Sequence, residues 1–425
     1  MAAGPAEIVN PFAASHARVE ALEAPDVIAM DDDPIRAVMT KRKSSIVLAC
    51  RAIKKGNADA FFSAGSTGAM TAAATAYVTP FRYQAEGKKQ PVRPCLTNAL
   101  PNRAGGLTVL CDMGANPDVE VDDMVRFAQM GSAYARVVLG IEHPRVGLLA
   151  NGTEDEKGSN FTKACFPAMK AAVPGFVGNC EGTDITSGNF DVVVADGMSG
   201  NIALKATEGA AKFLLQELKG AFMASLGTKI AALLIKKQMR EIKTKLSGDA
   251  KGGAILLGLR GVVLIGHGAT SVEAVKNGTL AAAEAVRAGL VENVANSMDV
   301  SFYKSELERC YVPRGARRGV ESKPCLGAAR AVPIFWYSCT MRGSAMDRSE
   351  IFDKIAEVAA DVLGVDVAEI SDETTFDDLD ANSLERLQLV TAIEDEFNLE
   401  IDDETLLSLN SVADAVDAIE NAREA

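Results

Sequence analysis

The sequence is short of several things, and each shortage excludes something. Three histidines, His16, His143 and His267, are spread over 425 residues, so a histidine-rich metal site is not expected. There is one tryptophan, aromatics make up 5% of the chain, and no stretch interleaves them with Lys and Arg. A nucleic-acid surface is therefore not indicated. The eight cysteines form no C-x-x-C pair and no zinc spacing. They read as reduced, mostly buried thiols of a cytoplasmic protein. No apolar run reaches the roughly 18 residues that a spanning helix needs, and no secretory leader opens the chain. The sequence also lacks G-x-G-x-x-G, a Walker A loop and G-x-S-x-G. Dinucleotide, nucleotide and elbow-serine chemistry are therefore not expected.

What is present begins with charge. The net charge of −13 is unevenly spread. Asp347–Ala425 holds 24 acidic and 4 basic residues, while the residues before it hold 33 acidic and 40 basic. An acidic module at −20 thus follows a body at +7. Such opposite fields favour docking between the two kinds of surface, and the acidic module is no partner for nucleic acid. The length itself calls for two or three domains.

Met1–Ala24 is Ala-rich and weakly patterned. Ile28–Pro34 reads as a strand end, a cap and a proline in the first turn of a helix. Ser44–Lys55 is an amphipathic helix ended by Gly56. From there one device recurs: an apolar strand, a Gly/Ser/Asn-rich turn, then a helix. Ala58–Ser63 runs into Gly65-Ser66-Thr67-Gly68, Leu107–Cys111 into Asp112–Asn116, and Arg145–Leu149 into Asn151–Gly158. Asp191–Ala195 runs into Asp196–Asn201, and Gly261–Ile265 into Gly266-His267-Gly268. Such alternation predicts an α/β fold, with a mostly parallel sheet, helices on both faces and ligands at the carboxyl edge. A helix start offers free N–H groups and a dipole to an anion. Gly65, Ser66, Thr67, Gly68, Gly197 and Gly200 are accordingly the candidate phosphate-binding positions.

Those turns, together with Gly178–Ile185, resemble the phosphate acyltransferase family of bacterial phospholipid synthesis over about Pro25–Asn296. The resemblance implies a fold related to phosphotransacetylases and isocitrate dehydrogenases. It also implies a reaction in which acyl-acyl carrier protein and inorganic phosphate give acyl phosphate and free carrier. Members of the family begin with a strand and an Asp-Ala-Met-Gly-Gly-Asp turn. Nothing before Val27 matches it, so the body, residues 1–298, is expected to lack its first strand–turn unit. The implied reaction needs positive charge at the phosphate, donors for a developing oxyanion and a proton source for the departing thiolate. Lys157 is the candidate for charge, unless it is a solvated surface lysine. Asn201 and Asn179 are candidate donors. Glu154, Glu181 and Asp196 are candidates to orient these groups or hold a metal, although no metal site is assigned. His267 either reaches the site or caps the next helix.

Lys229–Leu246 reads as one basic amphipathic helix, with Ile230, Leu234, Ile235, Met239, Ile242 and Leu246 along one stripe. Such a helix lies on an anionic membrane surface or packs against the mate in a homodimer. Residues 299–346 hold Pro313, Pro324, Pro333 and Trp336 without a sustained period, and read as a flexible linker.

In the acidic module, residues 347–425, a helix from Ser349 to Leu363 ends at Gly364. A second runs from Ser383 to Phe397 and a last from Val412 to Ile419, giving a small all-α four-helix domain. The stretch Phe376–Leu384, with Asp380-Ala381-Asn382-Ser383 at its centre, resembles the attachment site of acyl carrier proteins. That family usually has Gly-Ala-Asp-Ser here. The resemblance implies 4′-phosphopantetheine as a covalent cofactor on Ser383, installed by a phosphopantetheinyl transferase. Two functions fit: an acyl-phosphate-forming enzyme with an attached carrier, or a silent body that scaffolds a working carrier.

Overall fold

The computed structural model describes residues 1–85, 88–246, 252–266, 271–298, 347–399 and 401–424. The chain divides into two compact units. The linker reading, 299–346, lies outside the described residues, and so does His267.

The body opens with β1 (Ala2–Gly4), α1 (Ala6–Ser15) and β2 (Ala21–Glu23). The two strands pair in parallel, Ala2 against Ala21, as a sheet of their own. The Ala-rich start is therefore patterned after all, but strands this short give no periodicity to read. Next come α2 (Pro34–Thr40) and α3 (Ser45–Lys54), each started by a side chain. Asp33 accepts from the Arg36 amide and Ser44 from that of Val47. Strand β3 (Ala60–Ser63) leads to α4 (Thr67–Ala73), which runs straight on into a π-helical turn, Ala74–Val78. The antiparallel pair β4 (Arg82–Ala85) and β5 (Lys88–Pro91) follows, then β6 (Cys95–Pro101) and β7 (Leu107–Cys111). After α5 (Val121–Leu139) come β8 (Val146–Leu149), α6 (Asn160–Ala172), β9 (Phe176–Cys180) and β10 (Val192–Val194). Three helices follow in succession: α7 (Gly197–Met223), α8 (Leu226–Leu234) and α9 (Lys236–Leu246). The body closes with β11 (Ala254–Leu257), β12 (Val262–Ile265), α10 (Val272–Arg287) and α11 (Leu290–Ser297).

The main sheet has eight strands in the order β3-β12-β11-β6-β7-β10-β8-β9. Alternate side chains feed the two cores on its faces. Val109, Val192 and Val194 pack with Met124 and Phe127, while Leu110 and Val193 pack with Met70, Met113 and Ile185. The pairs β3–β12, β7–β10, β10–β8 and β8–β9 are parallel. The three central pairings, β12–β11, β11–β6 and β6–β7, are antiparallel. Three reversals turn β3 and β12 against β7, β10, β8 and β9. The expectation of one shared carboxyl edge for all the Gly-rich turns is corrected here: hydrophobic periodicity does not carry strand direction.

One more boundary differs from expectation. The stretch Lys229–Leu246 is not one helix, because the chain breaks at Ile235 between α8 and α9. The five described cysteines, Cys50, Cys95, Cys111, Cys165 and Cys180, are all free and buried, as expected of reduced thiols.

The C-terminal domain holds α12 (Arg348–Leu363), α13 (Ser383–Phe397), α14 (Asp403–Ser408) and α15 (Val412–Glu424). A capping box between Asp347 and Glu350 starts α12, and Gly364 ends it at φ 71°. Ile351, Ile355, Phe376, Ile393, Val412 and Ile419 are buried. Arg348 Nη1 reaches both Asp417 and Glu420, and Lys354 reaches Glu396, on an otherwise acidic surface.

Candidate active site at a sheet edge

Four parallel strands, β7, β10, β8 and β9, end side by side, and each releases a loop that the sequence had singled out. The loop after β7 is built around Asp112, whose side chain is fully buried. Its Oδ1 accepts from the amides of Leu96 (2.8 Å), Gly114 and Ala115 (3.2 Å each). Its Oδ2 accepts from the Asn116 amide (2.7 Å) and from Asn116 Nδ2 (2.9 Å). Burial pushes the Asp112 pKa above the usual carboxylate range, while the Asn116 side chain and the amide donors pull against that rise. With five donors fixed on it, this carboxylate shapes the turn and is not a base for substrate. It is the residue that sequence reasoning missed. The available signal was an Asp followed by Gly and Asn directly after a strand, the composition of a side-chain-folded turn.

The start of α7 is seated on that turn. The Gly197 amide donates to Asn116 O (2.8 Å), and the Asp196 side chain caps the helix by accepting from the Ser199 amide (2.7 Å). A Cβ on Gly200 would lie 1.8 Å from Asp112 O, and one on Gly197 would lie 2.5 Å from Asn116 O. Both glycines are buried, and the Gly200 amide already donates to Asp196 O (2.9 Å). Close packing is what requires glycine here, and neither N–H faces outward to an anion. The next residue, Asn201, is exposed and leans on Gly114, where a Cβ would meet its own Cβ at 3.3 Å.

The Asn151–Gly158 loop after β8 carries Lys157, its only cation, against Glu154, Asp155 and Glu156. Lys157 and Glu154 are exposed. The stem of Lys157 crosses Gly152, where a Cβ would stand 2.8 Å from Lys157 Cγ. From β9, Asn179 donates Nδ2 to Glu154 O (2.7 Å). Glu181 and Asp184 form a capping box for the short helix Gly182–Thr186, so Glu181 is engaged in capping. Among the described residues no group of three or more His, Cys, Asp or Glu is placed to hold a metal.

The structure thus brings Asn201, Asp196, Gly197, Gly200, Glu154, Lys157 and Asn179 to one edge. From β7 to β8 is two strand spacings, about 10 Å, within reach of a lysine side chain. Gly65–Gly68 is not among them. It leaves β3, six spacings or about 29 Å from β8 and off the other edge. The neighbours that a Cβ would meet at Gly65 and Gly68 are Ile46 and Pro34, from α3 and α2, together with Ser63. Ser66 is buried and caps α4 through the Ala69 amide, while Thr67 and Gly68 are exposed.

A family model described as fatty acid synthesis protein matches residues 4–293. The chain belongs to this family. Two relatives of this chain are named phosphate acyltransferase. The one from Desulfitobacterium hafniense is 42% identical over 284 residues, which is 66% of this chain and 82% of the relative. The one from Levilactobacillus brevis is 42% identical over 275 residues, 63% of this chain and 77% of the relative. Among solved structures, a phosphotransacetylase from Streptococcus pyogenes covers 67% of this chain and 85% of its own, at 16% identity and TM-score 0.41. The chain is an acyltransferase, and it carries a second matched domain, a phosphopantetheine attachment site over residues 353–419. The surroundings of Ser383 fit a covalent 4′-phosphopantetheine. Ser383 is exposed as the first residue of α13, next to exposed Asn382, while Ala381 is buried and anchors the approach. An ester there would displace no core side chain.

Proposed function

We infer that the body makes acyl phosphate from an acyl-acyl carrier protein and inorganic phosphate, in the supply of acyl groups for phospholipid synthesis. The observation that carries this reading is a single chain joining an acyltransferase body to a phosphopantetheine attachment domain. Ser383 is the ester position, filled by a phosphopantetheinyl transferase. When attached, the arm supplies a thiol that carries the acyl group as a thioester. The residues of the body do the rest. A phosphate oxygen is already a nucleophile, so no side-chain base need be consumed. Lys157 holds the phosphate near the acyl carbonyl by charge. Asn201 donates from its amide to the carbonyl oxygen as negative charge gathers there. A new carbon–oxygen bond forms to the phosphate, the carbon–sulfur bond breaks, and the sulfur leaves as a thiolate that takes the proton given up by the phosphate. Asp196 contributes by capping α7, which sets Asn201. Glu154 lines the same loop. Gly65–Gly68, with Thr67 and Gly68 exposed at a helix start, is a separate phosphate-type turn, too distant to share one phosphate with Lys157.

The test is acyl-phosphate formation by the full-length holo-protein. Lys157→Ala and Asn201→Ala should each lower turnover by about tenfold or more, the order seen when one such donor is lost. Parent-like rates in both would remove this edge as the reaction centre.

A membrane contact is part of the same reading. Among the described residues no helix is long and apolar enough to cross a membrane. Yet α8 and α9 expose Ile230, Leu233, Leu234 and Ile242 beside Lys229, Lys236, Lys237 and Arg240, with Leu234 at 79% exposure. Each cation near an anionic surface contributes about 1 kcal/mol. Vesicles containing phosphatidylglycerol should sediment the protein at low salt, and Leu234→Glu should abolish this. Equal sedimentation by the variant would leave the stretch as the contact of a homodimer.

A further inference from the structure

We propose that Asn179 is a positioning residue for Lys157, not a donor to substrate; the inference rests on the reaction read above. Strand β9 is the edge strand, and its register against β8 slips between Val146 and Gly147, whose partners are Phe176 and Gly178. Gly178 sits at φ 123°, open to glycine and poorly open to other residues. Such a bulge re-aims the side chains that follow it. Asn179 and Cys180, the two residues after it, are both buried. Asn179 is 4% exposed. Its Nδ2 lies 2.7 Å from Glu154 O, and that same carbonyl accepts the Lys157 amide at 3.0 Å. One carbonyl therefore ties the edge strand to the turn that carries Lys157. Only the amino side of the amide can face a carbonyl oxygen, so the assignment of nitrogen and oxygen is fixed. Asn179 Oδ1 then points away, buried and without a hydrogen-bond partner. An acceptor has nothing to offer a phosphate oxygen or an oxyanion, and the amino group is engaged by Glu154 O. Gly152 supports the same turn from beneath, under the Lys157 stem. Asn179 thus acts by fixing where the turn presents the lysine ammonium.

The experiment measures acyl-phosphate formation by the full-length holo-protein with inorganic phosphate as the varied substrate. Asn179→Ala should raise the KM for phosphate about tenfold or more, the scale of a mispositioned binding group, with a smaller change in kcat. In a Lys157→Ala background the same substitution should change KM little, because residues that act as one unit are not additive. Asn179→Asp keeps the volume and guards against a folding failure. Its carboxylate cannot donate to Glu154 O until protonated, so its KM defect relative to the parent should shrink as pH falls. Additive losses in the double variant, or a fall in kcat at unchanged KM, would overturn the positioning role. A parent-like KM and a parent-like turnover in Lys157→Ala alone would refute the assignment of Lys157, and this inference with it. Sensitivity at Lys157 with additivity at Asn179 refutes the inference alone.

Discussion

Gly200→Ala sets two effects of opposite sign against each other. In a helix interior alanine is better than glycine by about 1 kcal/mol. Gly200 lies inside α7, so propensity alone predicts a gain. Space predicts the reverse. The new Cβ would stand 1.8 Å from Asp112 O, where real Cβ contacts do not fall below 3.0 Å. The deficit is about 1.2 Å, and the oxygen belongs to backbone, not to a side chain that can swing away. Nor can the Asp112 turn drift, because five donors hold its carboxylate and the Asp112 amide donates to Ala195 O (2.9 Å). Relief must come from lifting the first turn of α7, which breaks the bond from the Gly197 amide to Asn116 O and loosens the Asp196 cap. A net hydrogen bond is worth about 1 kcal/mol and a cap about as much, with overpacking strain on top. Against the helix gain, the net loss is about 2 kcal/mol. For a body of about 300 residues, unfolding with an entropy of about 2.1 cal/mol/K per residue, that is a fall in Tm of about 3 °C. Gly209→Ala is the control: the same helix, the same substitution, and nothing within 4 Å of the new Cβ. Differential scanning calorimetry should show Gly209→Ala at or above the parent and Gly200→Ala below it. Turnover should fall in Gly200→Ala as Asn201 leaves Gly114. A Gly200→Ala protein as stable as Gly209→Ala, with parent turnover, would refute the packing argument.

The other expectations are shorter. Intact-mass measurement after incubation with coenzyme A and a carrier synthase should show one phosphopantetheine added to the parent and none to Ser383→Ala; an unchanged parent mass would remove the assignment. At the opposite ends of β8 and β10 from the site loops, Arg145 grips Asp191 through Nε (2.9 Å) and Nη2 (3.0 Å). Partial burial pushes the Asp191 pKa up, but the Arg145 side chain, its amide and its charge outweigh that and hold the carboxyl below the usual range. The stability from this pair is present above the unfolded-state pKa of about 3.9 and is lost as pH falls through the depressed folded value. Arg145→Met should therefore differ from the parent in urea midpoint at pH 6, and the gap should close as pH drops below about 4. A gap that persists to pH 2 would mean that the arginine acts through packing alone.

Much of the architecture was legible because strand, glycine-rich turn and helix recur in order. Asp33 before Pro34, Ser44 before Ile46 and Gly364 after Leu363 also end or begin helices by local chemistry that needs no tertiary context. Direction was not legible. An apolar run such as Leu107–Cys111 buries the same residues whichever way it points, so Gly65–Gly68 and Asn151–Gly158 looked alike although they leave opposite edges. Glycine was the other ambiguity, because one letter answers several demands. Gly200 meets a demand for space, since any side chain would enter Asp112 O. Gly178 and Gly364 meet a demand for a dihedral, at φ 123° and 71°. The departure at Asp380 separates the two kinds. Carrier proteins usually have glycine there, and in this chain the backbone at Asp380 takes φ 52°. That is the left-handed region, which Asp and Asn enter more readily than other side-chain-bearing residues. Asp380 is also exposed, so its side chain meets no wall. A dihedral demand can thus be met by a short polar residue at modest cost, whereas a demand for space cannot. On that ground the chain tolerates Asp in a left-handed backbone at 380 and keeps glycine at 200.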